Sequence, residues 1–244
     1  MVEARFSLPV RDLQTILDSV TVLVSEARMR FDEEGLQIRA VDPANVAMVA
    51  VKAGVELFDV YSVEGETVVG VDLVKLVDVC RKIERSAMVE LKIEDRTLAV
   101  SAGNMTFTTA LISPDAIRKE PNIPSLDLKA EVVLEAPEFK KAVEMVTRVV
   151  KDEIVFEKSE DAFRVLGVGL KEQIACEFSG ARLLNANGHA ARAKYSLEYM
   201  KQLIRVKDAE TVRVKFDSDH ICWLSYAVRD GLTVDYLLAP RKSD

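Results

Sequence analysis

Residues 73–85, LVKLVDVCRKIER, and residues 139–151, FKKAVEMVTRVVK, carry one helix pattern twice. In the first the apolar positions are Leu73, Leu76, Val77, Cys80 and Ile83; in the second they are Phe139, Ala142, Val143, Val146 and Val149. This is the i, i+3, i+4, i+7 recurrence that lays one stripe of a helix against a core. The outward positions match in charge as well: Lys75, Asp78, Lys82 and Arg85 answer to Lys141, Glu144, Arg148 and Lys151 at equal offsets. A mostly cationic helix surface is therefore expected in each half of the chain.

The sign stands out because the 244-residue chain is acidic, with 33 Lys and Arg against 40 Asp and Glu and a formal net charge of −7. Helices are expected over Val10–Val20, Asp72–Arg85, Pro137–Lys151 and Ser196–Lys207, and these carry 12 basic and 8 acidic residues, leaving −11 on the remainder. Such polarisation suits a surface that meets a polyanion on an otherwise repelling body. A merely solvated helix face is the alternative.

Around these helices the chain reads as strands. Val2, Ala4, Phe6 and Leu8 alternate with polar residues, Pro9 closes the strand, and Leu13, Ile16, Leu17 and Val20 then fall at helical spacing. Further strands are expected at 28–31, 36–41, 47–51, 67–71, 88–93, 97–102 and 105–112, giving eight strands and two helices. The second half repeats the order, with strands at 131–135, 153–157, 162–166, 173–179, 211–216, 220–226 and 232–238. Landmarks recur about 125 residues apart: Leu13 with Phe139, Phe31 with Phe156, Leu73 with Leu197. The fold class is α+β in two duplicated domains, 1–112 and 126–244. They are joined by a connecting loop, 113–125, whose Pro114, Pro121 and Pro124 exclude helix and central strand. Ile117 and Ile123 in that loop are expected to be exposed for a purpose, the alternative being that they tuck onto their own domain.

Enzyme chemistry finds little support. The sequence has no P-loop, HExxH or Gly-x-Ser-x-Gly motif, and Gly167-Val168-Gly169 is too short for a nucleotide fingerprint. With two histidines and three cysteines and no CxxC pair, no metal site and no cofactor are expected. His189 reads as a loop residue, His220 as the start of a strand, and Cys176 and Cys222 as core thiols. Residues 1–8 lack an apolar signal core and no window resembles a membrane span, so an intracellular protein away from membranes is expected.

Glu3-Ala4-Arg5, Gly70-Val71-Asp72-Leu73, Asn122-Ile123-Pro124 and Leu238-Ala239-Pro240, taken in order with the duplication and the proline-bearing connector, resemble the sliding clamps of the proliferating cell nuclear antigen family in their archaeal form. The resemblance spans the chain. It implies a DNA polymerase processivity factor, three chains closed head to tail in a ring with sheets outside and helices lining a hole for duplex DNA. The cell compartment would be the cytoplasm, at the nucleoid, for an archaeal chain and the nucleus for a eukaryotic one.

The resemblance also assigns residues. The DNA-facing set is Lys75, Arg81, Lys82, Lys141, Arg148, Lys201 and Arg205, with Arg11 a lesser member, and contact is with phosphates rather than bases. The first helix departs from the family, carrying Gln14 and Thr15 where adjacent lysines are frequent, and Lys201 falls near the apolar side of its helix. A pocket for short peptide motifs of DNA polymerase, clamp loader, flap endonuclease and DNA ligase is implied at Val41, Asn45, Val46, Met48, Pro121, Ile123, Pro124, Leu237, Ala239 and Pro240. Ile221 stands where many relatives have proline. Three peptide anchors there would give roughly 10 kcal/mol gross before ordering costs, hence micromolar affinity. For Val46 and Met48 ordinary strand core is the competing reading. Subunit contacts are implied along Met105–Ile112 and Ile174–Ser179, at Phe107, Thr109, Leu111, Ile174, Cys176 and Phe178. Two other readings stay open: a duplicated saddle that grips the minor groove directly, and a hydrolase of unknown type.

Overall fold

The computed structural model describes residues 2–241, without the side chains of Val2 and Glu3; Met1 of the amino-terminal reading lies outside the described residues. The chain forms two compact units, one of residues up to Asn122 together with Arg229–Val234, the other of Ile123–Val228 and the residues from Asp235 on.

In the first unit, β1 (Val2–Pro9) gives way to α1 (Val10–Thr21) at Pro9, whose extended backbone serves as the helix N-cap. Then come β2 (Glu26–Asp32), β3 (Gly35–Val41), β4 (Ala47–Gly54), β5 (Val60–Val63), β6 (Thr67–Asp72), α2 (Leu73–Cys80), β7 (Met88–Glu94), β8 (Thr97–Ala102) and β9 (Met105–Ala110). One antiparallel sheet runs β5-β1-β7-β8-β9 and a second stretch runs β4-β3-β2-β6. Phe6 stacks on Phe31 at 4.6 Å between ring centres, joining the two layers at their core.

The second unit repeats this order: β10 (Ala130–Glu135), α3 (Ala136–Val149), β11 (Glu153–Lys158), β12 (Ala162–Val168), β13 (Gln173–Ser179), β14 (Asn185–Asn187), β15 (Ala191–Ser196), α4 (Leu197–Leu203), β16 (Thr211–Phe216), β17 (Cys222–Arg229) and β18 (Leu232–Leu238). Its strand orders, β14-β10-β16-β17-β18 and β13-β12-β11-β15, copy those of the first unit term for term. Phe156 is the hub of its core, with Phe139, Phe163, Tyr195 and Phe216 packed around it.

Several sequence expectations change. Among the described residues each repeat of the element order has nine strands, because β5, β14 and β15 escape the hydrophobic pattern. The strand expected over 105–112 stops at Ala110, and Ile112 makes an isolated bridge to Gly70. His220 precedes β17 rather than opening it: its amide closes a turn on Asp217. Cys176 is half-buried rather than a core thiol.

The second and fourth helices are also shorter than their apolar spacing suggests. After Cys80 the chain turns, and the carbonyls of Arg85 and Ala87 in the following stretch accept the first amides of α1, Arg11 at 3.1 Å and Val10 at 2.9 Å.

Candidate functional site

The early helix ends relocate the positive charge. Within their observed bounds the four helices carry six basic and six acidic residues. Arg81, Lys82, Arg85, Lys151, Arg205 and Lys207 lie in the turns that follow α2, α3 and α4, and Arg148 sits in the last turn of α3. Helix C-termini present unpaired carbonyls with a partial negative charge, so cations there are favoured by about 0.3–1 kcal/mol each. The basic residues are thus divided between helix faces, where Lys75, Lys140 and Lys141 are exposed, and the C-terminal ends of the helices.

Individual members differ in freedom. Lys75 is exposed and pairs at 3.1 Å with Asp72, whose carboxylate accepts the Lys75 amide at 3.2 Å and so caps α2. Burial opposes ionisation of Asp72, but the bonds and charge of Lys75 outweigh it and hold this carboxyl below its usual value. Arg81 reaches across to Asp18 of α1 at 2.9 Å. Lys82, Lys141, Arg148 and Arg205 are exposed, Lys201 is half-buried, and Arg11 lies 4.0 Å from Asp12. Gln14 and Thr15 are buried. The Gln14 Nε2 donates to the Cys80 carbonyl at 2.8 Å, tying α1 to the end of α2, and the Thr15 hydroxyl donates to the Arg11 carbonyl at 3.0 Å. No cation could occupy either position without leaving that packing.

The connector is fastened to the first unit by three arginines that the sequence reading did not single out. Arg28 donates to the Ile117 carbonyl at 2.8 Å. Arg30 is held between Glu66 and Glu120; burial works against its charge, yet these two carboxylates raise its pKa. Arg118 reaches the loop after β3, donating to Asn45 Oδ1 at 2.5 Å and to the Asp42 carbonyl at 3.4 Å. Ile117, expected to be exposed, is buried instead: Gly70 leaves room for it, since a Cβ there would come within 2.7 Å of Ile117 Cδ1 and 2.6 Å of the Ile112 carbonyl.

The loop that Arg118 grips is stiff. Asp42 is buried, and its carboxylate accepts the amides of Ala44, Val46 and Ala47 at 2.7–3.0 Å. Asn45 is thereby fixed in the left-handed region, at φ 59°. Of the pocket residues in this unit, Val41, Val46 and Pro121 are half-buried, Asn45 is exposed and Met48 is buried in β4. The structure joins Asn45 to the connector through Arg118. In the second unit Ile123, Ala239 and Pro240 are half-buried, Pro124 is exposed and Leu237 is buried.

The strands carrying the implied subunit contacts are both sheet edges. β9, MTFTTA, has no charged residue and no buried side chain, with Phe107, Thr109 and the following Leu111 half-exposed. β13 leaves Ile174 and Cys176 half-exposed, whereas Phe178 turns inward and stacks on Phe163. Neither strand carries the lysine, proline or bulge that blunts a solvent-facing edge.

Burial pushes the Cys80 thiol up to about 12 and raises Cys176 and Cys222 as well, so none of the three is an activated thiolate. Among the described residues no group of His, Cys, Asp and Glu is arranged to hold a metal ion, and no helix is long and apolar enough to cross a membrane.

Known proteins share this architecture. The family model for the proliferating cell nuclear antigen N-terminal domain matches residues 1–110. A DNA polymerase sliding clamp of Archaeoglobus fulgidus is 38% identical over 232 residues, 94% of each chain, and one of Methanothrix thermoacetophila is 35% identical over 233 residues, again 94% of each. Among solved structures, A. fulgidus PCNA bound to the C-terminal region of FEN-1 matches at a TM-score of 0.94 and 36% identity, covering 99% of both chains.

A duplicated α+β body with basic residues at the ends of its helices is that of the DNA-clamp class of proteins. The chain belongs to the proliferating cell nuclear antigen family of DNA polymerase sliding clamps.

Proposed function

We propose that this chain is the protomer of a trimeric ring that encircles duplex DNA, holds a DNA polymerase on its template, and docks a clamp loader, flap endonuclease and DNA ligase through short peptides. The observation that carries the ring is the pair of uncovered edge strands, β9 and β13. An open edge with half-exposed apolar side chains invites pairing, and a contact between two different edges on identical chains propagates head to tail until it closes. Basic residues at the helix ends give the DNA a sequence-independent hold by phosphate contact, weak enough to slide. The stiff loop at Asp42–Ala47 and the arginine-tied connector form one wall of the peptide site, supported by the similar clamp whose structure contains the C-terminal region of FEN-1. Archaeal relatives favour the cytoplasm, at the nucleoid, as the working place.

Light scattering tests the assembly: with a chain mass of 27.1 kDa, a trimer of about 81 kDa is expected at micromolar concentration. A single-chain mass under those conditions would reject the ring. On DNA, the closed ring should slip from linear duplex and persist on circular duplex only after loading, whereas a groove-binding saddle would hold both equally.

A further inference from the structure

We propose that Arg118 is an anion-reading subsite of the docking surface, selecting partner peptides that carry a carboxylate beside their apolar anchors; this rests on the peptide-docking reading above. Arg118 is exposed on the connector, and its guanidinium lies over the loop at Asp42–Ala47. Both of its hydrogen-bond acceptors are neutral, the Asn45 carboxamide and the Asp42 main-chain carbonyl. The contrast is with Arg30, the neighbouring tie, which is held by two carboxylates.

The Asp42 carboxylate is turned into its own loop, where it accepts three backbone amides. A guanidinium offers five donors in a planar fork suited to a carboxylate, and an ionised acceptor forms a hydrogen bond about twice as strong as a neutral one. A peptide carboxylate arriving at this wall would therefore exchange with the Asn45 carboxamide at a net gain. Because Asp42 fixes the loop and Asn45 holds the fork, Arg118 is in place before the peptide arrives, which lowers the ordering cost of the contact. Lys119, also exposed, adds a second positive charge beside it. On a chain of net charge −7, such a cationic spot distinguishes this stretch from the surface around it.

The test is titration calorimetry on the full-length clamp. The probe is a synthetic peptide of the C-terminal region of A. fulgidus FEN-1, made as Gln and Glu twins at successive positions along and beside the anchors. At one position the Glu peptide should bind the native clamp about tenfold more tightly than its Gln twin, a gain that shrinks as salt is raised. On Arg118→Gln the twins should bind within about twofold of each other, and the Gln peptide should bind native and variant alike. Arg118→Lys, which keeps the positive charge but loses the planar fork, should show a Glu preference smaller than that of the native clamp and serves as the second variant if Arg118→Gln does not fold. Absence of a Glu preference at every position, or a preference that persists undiminished in Arg118→Gln, overturns the inference while leaving docking intact. Failure of all the peptides to bind rejects the docking reading itself.

Discussion

Gln14 and Thr15 stand on the first helix where adjacent lysines are frequent in the family, and both side chains are turned inward. Gln14 gives the Cys80 carbonyl, which also accepts the Ile83 amide at 3.2 Å, a second and shorter bond in a buried setting. Its neutral character therefore serves helix pairing rather than marking a lost DNA contact. Gln14→Ala should leave the Cys80 carbonyl with only the Ile83 amide at 3.2 Å and lower stability by about 1 kcal/mol, read as a reduced denaturation midpoint at unchanged slope. A change within about 0.5 kcal/mol would mean that water replaces the bond. Asp72 makes a second statement at this scale. Its pKa is held below the ordinary 3.8 in the folded chain, so its contribution is fully present above that value and is lost as pH falls through the lower, folded value. Asp72→Asn keeps a capping oxygen but cannot titrate. It should therefore flatten the acid limb of the stability curve below about pH 4, as followed by circular dichroism.

Among the elements, edge strands and helix ends decide what the protomer can do. β9 and β13 each leave one side of their backbone without a strand partner, and their half-exposed apolar residues give a neighbour something to bury. Phe107→Lys combined with Ile174→Lys puts like charges on both edges at positions outside either core. The expected result is a single-chain mass in light scattering with thermal unfolding little changed; a persistent trimer would remove these strands from the interface.

The same elements show how far the pattern of residues carries. Period-two alternation is plain in β1 and β10, and the duplication can be read from the spacing of Leu13, Phe139, Leu73 and Leu197. β15 is missed because its inward residues begin with Ala191 and Ala193, too small to register as apolar anchors, and β14 because its three residues, Asn-Ala-Asn, are all exposed. Ile83 and Val206 prolong the apolar period beyond the helices they follow, so the spacing alone cannot show where α2 and α4 stop. The ties of the connector are hidden for another reason: Arg28 and Arg30 meet partners about 90 residues away, and nothing local marks an arginine that will find a carbonyl at that separation.

For the whole molecule, the question is whether DNA responds to where the positive charge sits or only to how much there is. A chain of net charge −7 is repelled by duplex unless some of its cations are gathered, and Arg81, Lys82, Arg85, Arg148, Lys151, Arg205 and Lys207 of this chain stand at helix ends. Lys82→Glu with Arg148→Glu reverses one exposed charge in each unit without touching a core residue. Arg5→Glu with Arg164→Glu makes the same change in net charge on strands β1 and β12, where both arginines pair with carboxylates on their own sheets. If each helix-end cation meets one phosphate, the first pair should lower the slope of log affinity against log salt by about 5.4 for a three-chain ring, since it removes two contacts per protomer and each contributes about 0.9. Polymerase processivity on primed DNA should fall with it. The second pair should leave the slope within about one contact of the native value, and both variants should keep the mass of the native assembly. Equal losses from the two pairs would show that total charge, rather than the helix-end arrangement, governs the hold on DNA.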